Sequence, residues 1–361
     1  MEKKLTGSTL NQRKLSRAAL NGFINYGIVI AAYLLIQYLL SAGKVSNSLQ
    51  SLLVPTCCYI VMAVSLNLTV GILGELSLGH AGFMSLGAFT GITVSILLQN
   101  AIPMTPVRLA VSMIAGAAAG ALGGVIVGVP VLRLQGDYLA IVTLAFGQII
   151  QNIIMVLYVG VDENGFHITA GSGRFDISAD GTTIIKGPMG AVGVTKLASF
   201  TAGFVLILVT LLVVQNLVNS RSGRAIMALR DNRIAAESVG INVIKYKLMA
   251  FVTSAALAGA AGALFGLNYS STVASKFSFN TSIQVLVFVV LGGLGSIRGS
   301  IIAAALLYVL PEQLRQFNIA DYRMLVYAVV LILVMLVTNN AQLKALVGRV
   351  LPKRKGVAGN G

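Results

Sequence analysis

The sequence predicts an all-α protein, a polytopic transmembrane helical bundle of about ten spans (eight at the fewest), with both termini in the cytoplasm. Three observations carry this reading. Hydrophobic residues make up 56% of the 361-residue chain and charged residues only 10%, against about 25% charged in ordinary soluble domains. So few charges could not cover the surface of a water-soluble protein of this size. Apolar tracts of span length recur from end to end. Finally, 39 glycines in a chain without tryptophan suit helices packed backbone to backbone in lipid.

In chain order, the apolar tracts place spans near 21–40, 50–70, 80–99, 108–130, 138–159, 199–218 and 248–268. Two short ones follow near 279–293 and 299–313, and a last near 322–340. The first tract follows a basic segment but lacks a small-x-small cleavage site, so it reads as an uncleaved span. The two short segments flank Leu291-Gly-Gly-Leu-Gly-Ser-Ile-Arg-Gly299, a turn between short helices or part of a re-entrant structure. Irregular backbone at membrane depth is tolerated only inside protein or beside a polar cavity. Leu73-Gly-Glu-Leu-Ser77 echoes Leu291-Gly-Gly-Leu-Gly-Ser296, and transporters often contain repeated halves with broken helices.

The formal charge of +15 raises the question of nucleic acid, and its distribution answers it. Residues 1–17 carry Lys3, Lys4, Arg13, Lys14 and Arg17 against Glu2, net +4. Segment 219–247 carries Arg221, Arg224, Arg230, Arg233, Lys245 and Lys247 against Asp231 and Glu237, also +4. Lys344, Arg349, Lys353, Arg354 and Lys355 give the tail +5, whereas loop 160–198 is net −1. The positive-inside rule puts the three basic blocks in the cytoplasm without any nucleic-acid partner. It also demands an even number of spans after 219–247, hence two short helices near 279–313 rather than one long one. The domains are then a cytoplasmic N-terminus (1–20), a membrane domain (21–340) and a cytoplasmic tail (341–361). The membrane domain includes an extracytoplasmic loop (160–198) and a cytoplasmic loop (219–247).

Loop 160–198 mixes Gly, Thr, Ser and Asp into short β-prone pieces. It reads as a plain connection or as a cap that docks an external partner. Cys57 and Cys58 are adjacent in an apolar run, so they form no CxxC pair and are expected as free, buried thiols. There is no G-x-x-x-x-G-K-[ST], H-E-x-x-H or G-x-S-x-G, and the only histidines are His80 and His167. Neither a metal centre nor a self-contained enzyme is expected.

Three segments stand out. Gly71-Ile-Leu-Gly-Glu-Leu-Ser-Leu-Gly-His-Ala-Gly-Phe83 holds Glu75, the only acidic residue before 137 apart from Glu2, together with Ser77 and His80. Its Gly71, Gly74 and Gly79, like Gly292, Gly293 and Gly295 later, suit helix breaks and close packing. Ionisable groups near a membrane helix often face a polar path, so Glu75, Ser77 and His80 are translocation-pathway candidates. Equally, Glu75 fits an interfacial loop and His80 a packed, hydrogen-bonded site. In Arg133-Leu-Gln-Gly-Asp-Tyr-Leu-Ala-Ile-Val-Thr143, Arg133 and Asp137 are spaced to pair on a helix. Thr143 is a fourth pathway candidate or an ordinary interhelical hydrogen-bonding group. Segment Gly223–Gly240 is too polar to span and reads as a helix ending at Gly240. Ile226, Leu229, Ala236 and Val239 fall along one side, which suits a lipid surface or a knob for a cytoplasmic partner.

Together these segments resemble the permease subunits of branched-chain amino acid ABC transporters, of the LivM type, over roughly 60–341. Gly74-Glu-Leu-Ser-Leu-Gly-His-Ala-Gly-Phe83, Gly136-Asp-Tyr-Leu-Ala-Ile-Val-Thr143, Gly223–Gly240 and Val290-Leu-Gly-Gly-Leu-Gly-Ser296 carry the resemblance. Urea permeases share much of this pattern. The resemblance implies the membrane half of an importer in the cell membrane. Its partners would be a second homologous permease (LivH-type), two cytoplasmic ATPases and an extracytoplasmic solute-binding protein. No cofactor is held directly; ATP and Mg are used by the ATPases. The family's ATPase-facing loop carries glutamate-alanine-alanine, three residues, then glycine; here Ile234, Ala235, Ala236 and Gly240 match, with isoleucine replacing glutamate. Arg224 and Arg230 lie on the same coupling segment. An ion-coupled secondary transporter using Glu75 and Asp137, or a lipid-gripping scaffold, remains an alternative from the residues alone.

Overall fold

The computed structural model describes residues 22–315, except 23, 44–45, 135, 163–164 and 172–180, together with 328, 329 and 332. The basic N-terminus, the span expected near 322–340 apart from those three positions, and the basic tail lie outside the described residues. The chain divides into two compact units, Met1–Ala305 and Leu306–Gly361. In the second, the described backbone of 306–315 is helical.

Among the described residues, seven helices are long and apolar enough to cross a membrane, and each lies where an apolar tract predicts it. They are α1 (Ile24–Ser41), α2 (Asn47–Asn67, continued by a π-helical turn over Leu68–Leu73), α3 (His80–Leu97), α4 (Thr105–Val131), α5 (Asp137–Val156), α6 (Phe200–Asn219) and α9 (Val243–Gly266). Between α6 and α9 lie two short helices, α7 (Arg221–Asp231) and α8 (Arg233–Ser238). The region near 279–313 forms two short helices, α10 (Phe279–Gly292) and α11 (Ile297–Arg315), separated by a tight turn. This is the break that charge parity required. Gly293 (φ 92°) and Gly295 (φ 81°) make the turn, and the Ser296 hydroxyl accepts the Gly299 N–H at 3.2 Å to start α11.

The core is built from α9 against α2, α3 and α4. The membrane-spanning window of α2 is 94% buried and that of α9 72%, so both helices are enclosed by protein rather than lipid. A Cβ at Gly87 of α3 or Gly116 of α4 would meet the Gly259 carbonyl of α9, and one at Gly120 would meet Ala255 of α9. With no hydrophobic pressure between helices in lipid, such backbone approach supplies the dispersion contact that holds them. Cys57 and Cys58 are free and buried in α2.

Beyond α5 the described residues of 157–192 form a small antiparallel sheet, a departure from all-helical structure. Its order is β2-β1-β3-β4-β5, from Leu157–Asp162 (β1), Gly165–Ala170 (β2), Thr182–Lys186 (β3), Ala191–Val192 (β4) and Ser271–Thr272 (β5). Strand β5 comes from the α9–α10 connection, so the sheet ties two loops at one end of the bundle. Asp162 and His167 pair across the β1–β2 hairpin at 2.9 Å. Helices α7 and α8 follow the opposite end of α6.

Candidate functional site

The site begins where α2 stops being an α-helix. Its last turn widens into the π-helix Leu68–Leu73, a geometry that often marks functional positions. Gly74 ends it at φ 82°, with its N–H on the Thr69 carbonyl. Only glycine fits there, because φ is left-handed and a Cβ would lie 2.6 Å from Cγ of Arg230. Residues 74–79 are non-helical, and α3 starts only at His80.

That segment climbs along α9 inside the bundle. At its start, Glu75 forms an ion pair with Lys247, the fifth residue of α9. At its end, His80 Nε2 lies 2.9 Å from Ser65 Oγ, and the Ser65 carbonyl accepts a 2.5 Å bond from the hydroxyl of Ser254, midway along α9. From Lys247 to Ser254 is seven helical residues, a rise of roughly 10 Å. On one flank the Leu78 N–H donates to Thr143 Oγ1 of α5 at 3.1 Å. On the other, the Ala81 N–H donates to Ser282 Oγ of α10 at 3.1 Å. Gly79 is pressed against the Thr143 carbonyl, where no Cβ would fit.

The second of the echoing Gly-Ser segments meets the end of α2 just before the first begins. The Gly295 N–H donates to Asn67 Oδ1 at 2.9 Å, and a Cβ on Gly71 would strike both that oxygen and the Gly295 backbone. Gly292 packs on the Gly299 backbone across the α10–α11 turn. Arg230, the penultimate residue of α7, completes the junction by donating from Nη1 to the Gly71 carbonyl at 2.7 Å. One α7 side chain thus holds the carbonyl at the point where α2 breaks.

Segment 223–240 is two helices rather than the single helix expected to end at Gly240. Asn232, extended at φ −156° and ψ 106°, interrupts it, and its Oδ1 accepts the Ala235 N–H at 3.0 Å to cap α8. Asn competes for backbone donors in this way and so favours caps over helix interiors. Of the four residues spaced along one side, Ile226, Leu229 and Ala236 are buried in the protein, but Val239 is not. Ile234 and Val239 are 80% and 75% exposed, and Arg224, Ala235 and Gly240 (φ 84°) are exposed too. A second correction concerns Arg133 and Asp137. Gly136 (φ 59°) separates Arg133 from α5, so the helical spacing does not exist, and the pair is not among the ion pairs of the described residues.

Of the four pathway candidates, Ser77, His80 and Thr143 are buried and gathered around one broken segment, while Glu75 sits at its entrance. Sequence reasoning missed Ser65, Asn67, Lys247, Ser254 and Ser282, which hold that segment. Lys247 had a signal, a cation that follows Lys245 five residues into an otherwise apolar helix. The serines and Asn67 had none. Among the described residues no cluster of three potential metal ligands occurs.

The family described as "Branched-chain amino acid transport system / permease component" matches residues 48–335. The chain belongs to this family. The permease is 35% identical over 299 residues to the high-affinity branched-chain amino acid transport system permease protein LivM of Escherichia coli (strain K12), covering 78% of the chain and 66% of that relative. It thus spans just under two thirds of that relative's length. To the LivM protein of Salmonella typhimurium (strain LT2) it is 30% identical over 358 residues, 92% of the chain and 75% of the relative. The ribose import permease protein RbsC of E. coli (strain K12) is 30% identical over 306 residues, 82% and 87% of the two chains. No solved structure matches the permease. Its apolar helices make it a multi-pass protein of the cell membrane.

Proposed function

We propose that the permease is the membrane subunit of an ABC importer that moves branched-chain amino acids into the cell. The observation that carries this reading is the family match over 48–335 together with two LivM relatives along most of the chain. Its partners are a LivH-type permease, two cytoplasmic ATPases that use ATP and Mg, and a solute-binding protein that docks on the sheet of loop 160–198. The ATPases seat on α7 and α8, where Ile234 and Val239 stand 80% and 75% exposed above a buried Ile226 and Leu229. Arg224, Arg230, Ala235, Ala236 and Gly240 shape that knob. Closure of the ATPases moves α7, and Arg230 passes the motion to the α2 break through the Gly71 carbonyl. Glu75, Ser77, His80 and Thr143 then lie where the two access states differ.

The test is reconstitution of the permease with its ATPases, partner permease and binding protein in proteoliposomes. ATP-dependent uptake of labelled leucine, absent without the ATPases, is the expected result. Uptake that persists without them would support an ion-coupled carrier instead. The relative named as a ribose import permease favours a second reading, sugar transport, and excess ribose that competes with leucine would support it.

A further inference from the structure

Among the described residues, the broken segment Gly74–Gly79 has protein on three sides and a fourth on which Leu76 stands exposed. Behind it stand α2 and α9, through His80–Ser65 and Glu75–Lys247. Thr143 of α5 and Ser282 of α10 flank it. Within the segment the side chains alternate: Ser77 and Gly79 are buried, Leu78 is half-buried, and Leu76 is 37% exposed. Ile283 of α10, beside Ser282, is also 37% exposed. Among the described residues the backbone N–H groups of Leu76, Ser77 and Gly79 donate to nothing, and neither does the buried Ser77 hydroxyl.

Lipid cannot cover such a front. Hydrocarbon offers no acceptor for free N–H groups, and irregular backbone at membrane depth survives only in protein or against water. We propose that the strip Leu76–Gly79, with Ile283, is the wall of the solute passage, and that its free N–H groups receive the solute's carboxylate while Leu76, Leu78 and Ile283 face an apolar side chain. This deepens the importer reading and rests on it for the solute's class. An amino acid whose α-carboxylate takes two or three backbone donors has its hydrocarbon end left for the leucines, as small-molecule sites generally combine few polar groups with apolar walls. Of the pathway candidates, His80 and Thr143 hold the strip in place from behind, where the buried Ser77 side chain also lies.

The test is water access in the assembled complex. In a Cys57→Ala/Cys58→Ala background, Leu76→Cys and Ile283→Cys are treated with a membrane-impermeant, cationic methanethiosulfonate, alongside Ile126→Cys on α4, where the native side chain is 70% exposed. Leu76→Cys and Ile283→Cys should label about tenfold faster than Ile126→Cys, which lipid covers. Saturating leucine delivered with the binding protein should slow labelling, and leucinol, which lacks the carboxylate, should not. Should both passage cysteines stay as unreactive as the α4 control, with and without ATP and vanadate, the strip is not a passage wall. Equal protection by leucinol would remove the carboxylate assignment. Ile283→Cys leaves the strip's own backbone untouched, so it decides the matter even where Leu76→Cys fails to assemble. Labelling reads water access, so failure of leucine uptake by the unmodified complex overturns the importer reading separately.

Discussion

Arg230 Nη1 donates to the Gly71 carbonyl at 2.7 Å, across 159 positions of chain. The carbonyl belongs to the π-helical turn of α2, and the guanidinium to α7. A hydrogen bond from a charged donor contributes about 1.5–3 kcal/mol, and its planar fork is not replaced by lysine. Arg230→Ala and Arg230→Lys should both leave ATPase turnover by the complex intact while lowering uptake by about tenfold or more. The ratio of transported solute to ATP hydrolysed is the readout. An unchanged ratio would show that force does not pass through this contact.

Glu75 and Lys247 form a second long-range tie, and Lys247 is only 3% exposed. Removing one partner of a buried pair strands the other charge, at a cost of about 3–5 kcal/mol, whereas removing both is often close to neutral. Glu75→Gln should therefore lower the melting temperature of the purified permease, and Glu75→Gln/Lys247→Met should recover most of the loss. Detergent thermal melts of the three proteins check this, and a double variant no better than the single would contradict it.

Helix packing makes an independent prediction. A Cβ at Gly87 runs into the Gly259 carbonyl, while one at Gly27 of α1 has nothing within 4 Å. Overpacking a tight contact costs about 1–3 kcal/mol. Gly87→Ala should reduce the yield of monodisperse protein and its melting temperature. Gly27→Ala should leave both unchanged or slightly raised, because alanine is the better helix former.

The seven long spans of the described residues were legible in the sequence because a run of about 20 apolar residues has few other uses, and even the break at Gly292–Ser296 followed from charge parity. The site was legible only in part. Gly71, Gly74 and Gly295 announced themselves as breaks, but that Gly295 touches the end of α2 depends on Asn67, which lies unmarked in an apolar tract. Ser282 reaches Ala81 across 201 positions, and no periodicity encodes such a contact. Reading 223–240 as one helix failed at Asn232, whose capping side chain outweighs the helix formers around it. Val239 leaves the side shared by Ile226, Leu229 and Ala236 for the same reason, since the break resets the register.

That reset leaves Ile234 and Val239 pointing away from the permease, and Ile234 is 80% exposed. A side chain so exposed contributes little to folding; substitutions at such positions usually change stability by under about 0.5 kcal/mol. Seated in an apolar pocket of an ATPase it would instead be an anchor, and losing an anchor costs about 2 kcal/mol or more. Ile234→Asp should consequently leave the permease's melting temperature unchanged and weaken ATPase co-purification at least about thirtyfold. Ile226→Asp provides the contrast. Its native side chain is fully buried against Leu68, Ile72 and Ala250, so a charge there should unfold α7 from the bundle and lower the melting temperature itself. Should Ile234→Asp retain full ATPase binding, the knob on α8 is not where the ATPases sit.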